Sequence, residues 1–339
     1  MRRSNGMRGD AGHIRFYKKV NIHFYKNMKV VDQAKASGRV PFREIIENEM
    51  WENFLGQLPL MIGERDDGQM LVADLTMLHN LLVAGETDRD RTMCLNAMVC
   101  GLLAAKSAKE VQFILTDTRG AGFAVHYQKL PHLVEPVITD PAKTPAALKR
   151  MKAEMEKRLK LFRRTGVRNL EEFNDRGEGS SVSVPKTLPA IVLMLDDLAD
   201  VVAVDSKAVG RDLNRLLCLG YPAGIYVIAS AKNPSGKLIG YDTACNFQSR
   251  LAFKTATTED SENAIGAGFA ANLEPNGALL FKAWKRPLSF AKGVAIPAAE
   301  IRRVVALPSG ARSRLPTPTR RRSTPQRPPA TTSSRSRSR

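Results

Sequence analysis

Two stretches of this 339-residue sequence hold residue types and spacings suited to phosphate chemistry. The first runs from Gly85 through Glu86, Thr87, Asp88, Arg89, Asp90 and Arg91 to Thr92, between an apolar run and a segment of helical periodicity. It occupies the position of G-x-x-x-x-G-K-[S/T]. In that pattern loop amides and a helix N-terminus cradle phosphates, the Lys pairs with them and the hydroxyl reaches magnesium. Gly85 and Thr92 match, whereas Asp90 stands at the second Gly and Arg91 at the Lys. Alone, this match is weak, and an ordinary strand-to-helix turn accounts for it as well. The second stretch, Ala190–Asp197 (AIVLMLDD), places two acids after an apolar run. Asp196 is positioned to reach a magnesium ion through water, and Asp197 to orient an attacking water. An acid pair after a buried strand also serves as a helix N-cap; strand order and spacing favour the nucleotide reading.

Both stretches need a scaffold that delivers their ends to one place. His79–Gly85, Val111–Asp117, Pro189–Asp197, Gly224–Ser230, Arg250–Thr255 and Gly277–Trp284 read as strands, most of them near-continuously apolar. Helical periodicity covers Arg91–Ala105, a long charged segment opened by Asp140-Pro141 and closing near Arg164, and Ser206–Leu219. Buried strands alternating with helices predict an α/β fold with a mostly parallel sheet covered on both faces.

Composition sets the limits. A hydrophobic content of 43% supports a substantial core. No stretch approaches the roughly 20 apolar residues that span a bilayer, and no apolar h-region follows the N-terminal Arg pair, so the chain reads as cytoplasmic. Cys94, Cys100, Cys218 and Cys245 lack metal-site spacing and read as buried free thiols. Of the net charge of +18, residues 1–39 carry +8 and residues 301–339 carry +11, leaving the body at −1. Residues 1–39 read as a basic segment, either a short remnant domain or unstructured; residues 40–310 read as the folded domain. Residues 311–339, rich in Arg, Ser and Pro, read as a disordered tail. Such tails attract nucleic acid without sequence preference, or merely solubilise.

Several motifs together resemble the FtsK/SpoIIIE family of double-stranded DNA translocases. They are Leu58–Gly63, Val72–Leu75, Leu81–Gly85, Asp117, Pro131–Leu133, Val137–Asp140, Glu154–Arg158, Gly166–Leu170 with Phe173 and Asn174, Leu195–Asp200 and Ser249–Phe253. The resemblance runs from about Val40 to Val305 in one order. It implies a RecA-like P-loop NTPase motor that binds ATP and Mg2+ and works as a ring, usually hexameric, around duplex DNA. By carry-over, residues 85–92 bind nucleotide, Thr92 and Asp196 hold magnesium, Asp197 positions water and Arg250 reaches a neighbouring subunit's nucleotide. A strand-capping role for Arg250 is the alternative. Arg119, Lys232 and Lys237 become candidate DNA contacts, or solvated loop residues. Family members also carry a membrane-anchoring N-terminal region and a C-terminal winged-helix module; this chain reads as a motor core without either.

The departures bear on chemistry. The family has Gly and Lys at Asp90 and Arg91, Asp-Glu at Asp196-Asp197, Thr-Gln-Arg-Pro at residues 230–233, Asp-Ser-Arg at residues 260–262, and an acid shortly after Asp117. At an effective dielectric of ~20, a carboxylate ~5 Å from another anion is repelled by ~3 kcal/mol, roughly a hundredfold in affinity. Asp197 is a methylene shorter than Glu, a setback of ~1.5 Å where misplacements of ~1 Å cost about a hundredfold in rate. Two readings follow: an ATP-driven DNA translocase, or a pseudo-motor that keeps the fold and binds DNA or a partner without hydrolysis, in a mixed ring with an intact paralogue. A secretion ATPase is a third, disfavoured by the Gly166–Leu170 segment.

Overall fold

The computed structural model describes residues 38–120, 122–176 and 185–307. The readings made for residues 1–37 and 311–339 lie outside the described residues.

In chain order, β1 (Val40–Pro41), α1 (Phe42–Ile46) and α2 (Glu49–Glu52) precede a hairpin of β2 (Pro59–Glu64) and β3 (Met70–Asp74). The short helix α3 (Leu75–Leu78) turns the chain into β4 (Asn80–Ala84), followed by α4 (Asp88–Ala105), β5 (Val111–Asp117), α5 (Thr144–Thr165) and α6 (Leu170–Asp175). Next come β6 (Ala190–Asp196), α7 (Leu198–Val204), α8 (Ser206–Leu219), β7 (Ile225–Ala231), α9 (Gly236–Ile239) and α10 (Tyr241–Asn246). The last described elements are β8 (Ser249–Phe253), α11 (Thr258–Ile265), β9 (Ala278–Lys282), β10 (Ser289–Ala295) and α12 (Ala298–Ala306).

The strands lie in the order β3-β2-β10-β9-β8-β4-β7-β6-β5, with β1 beside β10. From β8 to β5 every pairing is parallel; from β3 to β8 every pairing is antiparallel. The parallel sheet expected from sequence is thus the half that carries both phosphate motifs. Connection length explains the rest. A short turn, closed by Arg65 N donating to Gln69 O at 2.8 Å, links β2 to β3. Such a turn cannot make the crossover that a parallel pair needs.

Burial follows the two-residue strand period. On β6, Val192 and Met194 face one core, whereas Ile191, Leu193 and Leu195 face the other. The first core is closed by α4 and α12, the second by α5, α7, α8 and α10. Helices such as α5 and α8 lay one apolar face on the sheet, whereas α4 is buried on nearly every side from Cys94 to Ala104, and each strand of the centre is covered twice. The cysteine expectation is half corrected. Cys94 and Cys100 are buried, but Cys218 and Cys245 are exposed, since each sits on the outer face of its helix; none of the four forms a disulfide among the described residues.

Arg158 shows how the Glu154–Arg158 motif serves this packing. Its buried guanidinium donates to Pro189 O at 2.8 Å, Ala223 O at 3.1 Å and Glu154 Oε1 at 2.9 Å. One side chain thereby ties α5 to the starts of β6 and β7. Replacing Arg158 by Leu strands two buried carbonyls and should cost roughly 2–4 kcal/mol of unfolding free energy. Urea denaturation reads this loss; a change within experimental error would show that the staple is dispensable.

Candidate functional site

The parallel strands end on one edge of the sheet, and both phosphate motifs meet there. Gly85 follows β4 at a position where an added Cβ would lie 2.9 Å from Cβ of Phe253, so only glycine fits. Glu86 N donates to Lys254 O at 2.9 Å. Thr87 then caps α4: its Oγ1 accepts from Asp90 N at 3.3 Å and donates to Asp90 Oδ2 at 2.5 Å. The helix thus opens with Asp88 and Asp90 in its first turn. Their carboxylates meet the partial positive charge of the helix N-terminus, where a phosphate would otherwise be favoured.

The two substituted loop residues are both buried and both engaged. Asp90 forms an ion pair with Arg39, just before β1. The Arg39 stem lies over Gly277, where a Cβ would be 2.5 Å from Arg39 Cγ. The repulsion that the sequence assigns to Asp90 is therefore met inside the protein. Burial lowers the pKa of Arg39, and the nearby Arg89 adds to this. Arg91 folds back into the loop, donating to Gly85 O at 2.5 Å and pairing with Asp88; its guanidinium lies 3.7 Å from Asp197 Oδ2.

The acid pair closes the site from the other side. Ser230, on β7, donates to Asp196 Oδ1 at 2.7 Å and accepts from Asp197 N at 3.0 Å. Asp197 sits at φ 54°, ψ 81°, a strained conformation for a residue with a side chain. Arg119 reaches Asp197 Oδ2 at 2.9 Å and Asp200 at 2.6 Å. The contact with Asp197 is Coulombic without hydrogen-bond alignment, which leaves that oxygen a buried acceptor. Burial raises the pKa of both Asp196 and Asp197, with Ser230 opposing it at the first and Arg119 at the second. Hydrogen bonding to Asp200 raises that of Arg119.

Asp88, Arg91, Thr92, Arg119, Asp196 and Asp197 together enclose about 10 Å³, room for about one water. Thr92 and Asp196, the candidate magnesium ligands, lie together with Asp197 around this space. A carboxyl, a hydroxyl and an orphaned carboxylate oxygen suit a hydrated divalent ion. In the loop as it stands, Arg91 is turned to Gly85 O and Asp88, and Asp88 and Asp90 place two carboxylates in the first turn of α4, an arrangement that opposes a further anion there. Glu86, Thr87, Asp88 and Arg89 are exposed.

The remaining candidates lie elsewhere or do other work. Arg250 donates to the carbonyls of Phe247 at 3.0 Å and Asn263 at 2.7 Å, and also to that of Ala244. This geometry is that of a strand staple, the alternative given for it from sequence, and it turns the guanidinium inward. Arg119 is engaged by the site's own acids. Lys232 and Lys237 are exposed on the segment after β7, which Asn233 ties to Asp260. Sequence reasoning missed Arg39, counted there with the basic arm, and Asp200, three residues beyond Asp197. The register Asp117↔Asp196 places Arg119 beside the acid pair, a signal available only once β5 and β6 are known to be neighbours.

Residues 41–236 match the model of the FtsK/SpoIIIE family. The chain is 33% identical over 250 residues to DNA translocase FtsK of Oceanobacillus iheyensis, covering 73% of this chain and 32% of the relative. It is 33% identical over 245 residues to DNA translocase SpoIIIE of Bacillus subtilis, covering 71% and 31%. The chain therefore spans about a third of the length of these relatives. Among solved structures, the cytoplasmic domain of the Thermomonospora curvata type VII secretion ATPase EccC superposes with TM-score 0.67 at 17% identity, over 83% of this chain and 36% of that one. The pCW3 conjugation coupling protein TcpA with ATPγS gives TM-score 0.65 at 21% identity, over 80% and 74%. At these identities the likeness shows the P-loop ATPase fold.

Arg39→Gln leaves Asp90 buried without its cation and should cost roughly 2–4 kcal/mol in urea unfolding. Arg39→Gln combined with Asp90→Asn should lose less than the single change; equal losses would mean that the two are uncoupled. Asp196 tests the electrostatics separately. Its folded pKa lies above the unfolded value, so its contribution to stability is full below about pH 4 and lost as pH rises through the folded pKa. Asp196→Asn should therefore melt above the wild type at neutral pH, with the gap closing toward pH 4. A gap independent of pH would contradict the assignment.

Proposed function

The chain belongs to the FtsK/SpoIIIE family, and from that premise we propose that it is a duplex-DNA-binding motor domain whose own nucleotide site is held shut. In this reading it is a non-hydrolysing subunit of a cytoplasmic ring, beside an intact relative. The observation that carries the reading is the closed phosphate loop. Asp90 is neutralised by Arg39, Arg91 is turned into the loop, and the space left is about 10 Å³. Around that space Arg91 and Arg119 pair with three carboxylates, those of Asp88, Asp197 and Asp200.

DNA binding in this proposal comes from the family and the placement of charge. Lys232 and Lys237 stand exposed at the same sheet edge as the loop, where they would meet backbone phosphates without reading bases. The basic residues 1–39 and 301–339 would supply most of the salt-sensitive affinity, because the body is near neutral. The described residues include no helix long and apolar enough to cross a membrane.

A second reading, ATP-driven translocation in a homo-oligomeric ring, is favoured by a different observation. Thr92, Asp196, Asp197 and Ser230 remain assembled where a metal and an attacking water would be held. That reading requires Arg91 to leave the loop when ATP and Mg2+ enter.

Nucleotide binding and turnover by the full chain, with and without duplex DNA, separates the two. The closed-site reading expects duplex binding, no measurable ATP affinity and no turnover. It also expects ATP binding to appear in the Asp90→Gly/Arg91→Lys variant. DNA-stimulated hydrolysis by the wild type would overturn it in favour of the motor. Loss of duplex binding on removing residues 301–339 supports the tail-driven view; unchanged affinity would sink it.

A further inference from the structure

At the end of β4 opposite the phosphate loop, three aromatic rings from three separate stretches of chain come together. His79, at the corner between α3 and β4, stacks on Tyr221 with centroids 4.0 Å apart and planes 13° apart. Trp284, on the connection between β9 and β10, packs against His79 with centroids 4.8 Å apart. Lys285 Nζ lies over the Trp284 ring, 4.2 Å from its centroid.

Buried polar groups hold these rings in register. Asn80 donates to Leu217 O at 2.8 Å and accepts from Val227 N at 3.3 Å, fixing the end of α8, and with it Tyr221, against β4. Ser249 donates to Leu78 O and accepts from Trp284 N, both at 3.0 Å. The corner that carries His79 is thereby tied to the segment that carries Trp284.

Two features set the cluster apart from core packing. Tyr221 is 42% exposed and Trp284 36%, so the stack faces water rather than filling a void. Backbone strain is also spent on it. His79 adopts φ 63°, ψ −56°, near the γ-turn region that is rare and strained, and Lys285 adopts φ 57°. Strain held at a surface site, with little core burial in return, points to a use for the surface. The connection that carries Trp284 is itself basic. From Ala278 to Ala295 the chain carries Lys282, Lys285, Arg286 and Lys292 and no acid, and Lys285 and Arg286 are exposed.

Flat rings beside exposed cations suit a ligand that is itself flat and anionic. An unstacked nucleobase offers a π-face to the rings, and its phosphate a charge to the cations. An acidic peptide would use the cations and leave the rings idle. We propose that His79, Tyr221, Trp284, Lys285 and Arg286 form a single-stranded nucleic-acid contact on the sheet edge opposite the phosphate loop. The proposal rests on the DNA-binding reading for its setting and adds a site, a strand state and a mode of contact to it.

The test uses the full chain and a labelled oligothymidylate beside a duplex of equal length. The protein has two tryptophans, Trp51 and Trp284, so in a Trp51→Phe background the emission reports on Trp284. Saturating oligothymidylate should quench that emission. Tyr221→Ala with Lys285→Ala should weaken oligothymidylate binding roughly tenfold, and duplex binding by much less. Tyr221→Phe, which keeps the ring, should bind like the wild type and guards against a folding defect. Unchanged Trp284 emission with the oligonucleotide bound, or equal loss on single and double strands, would overturn the proposal. If duplex binding fails while the quench persists, the duplex-DNA reading falls and this site stands. The reverse pattern removes the site and leaves that reading intact.

Discussion

A helix that starts at the end of a buried strand presents unpaired amides and a partial positive charge, and something anionic must meet them. In this protein α4 meets the demand internally. Thr87 and Asp90 cap the first turn, Asp88 stands beside them, and Arg39 and Arg91 neutralise the carboxylates. The rest of the site follows from that choice. With Arg91 turned toward Gly85 O, Asp197 gains a nearby cation, Arg119 completes its neutralisation, and the enclosed space shrinks to about 10 Å³. The substitution of glycine by Asp90 is thus one half of a pair, whose other half lies 51 residues earlier in the chain.

The acid pair has a different character. Asp196 and Asp197 are held by Ser230, by the end of β6 and by a strained backbone, and burial resists their ionisation. Two buried carboxylates with raised pKa values do not strengthen a fold; they persist at sites with a use, inherited or current. The loop and the acids therefore differ in kind: the loop's charges are met by neighbouring side chains, while the acid pair is buried against Ser230 with one carboxylate oxygen left as an acceptor.

The architecture separates this edge from its opposite. Five parallel strands deliver their C-terminal ends to the phosphate loop. The N-terminal end of β4 carries the exposed aromatic stack and, on the neighbouring connection, a run of cations. The two surfaces are the length of a strand apart, about 17 Å, and share Asn80–Ala84 as a rigid spacer. Nothing in local sequence joins His79, Tyr221 and Trp284; three chain crossings do.

Much of the fold was legible in the residues themselves. Ala190–Leu195 and Ile225–Ala229 form unbroken hydrophobic runs, which only a strand covered on both faces tolerates, so the parallel centre could be read directly. The two candidate stretches could be picked out because each is local: a glycine after a strand and a hydroxyl entering a helix over residues 85–92, and two acids after an apolar run at 196–197. What the tertiary structure decided were the partners. Arg39 finds Asp90 because β1 pairs with β10 and brings the stem over Gly277. Arg119 turns to Asp197 because β5 lies in register with β6, and Arg250 turns inward because four carbonyls converge on it. Sequence determines which groups carry charge and which segments must be buried. Whether a charge meets a ligand, a solvent shell or another side chain depends on distances between remote parts of the chain, and those exist only once it has folded.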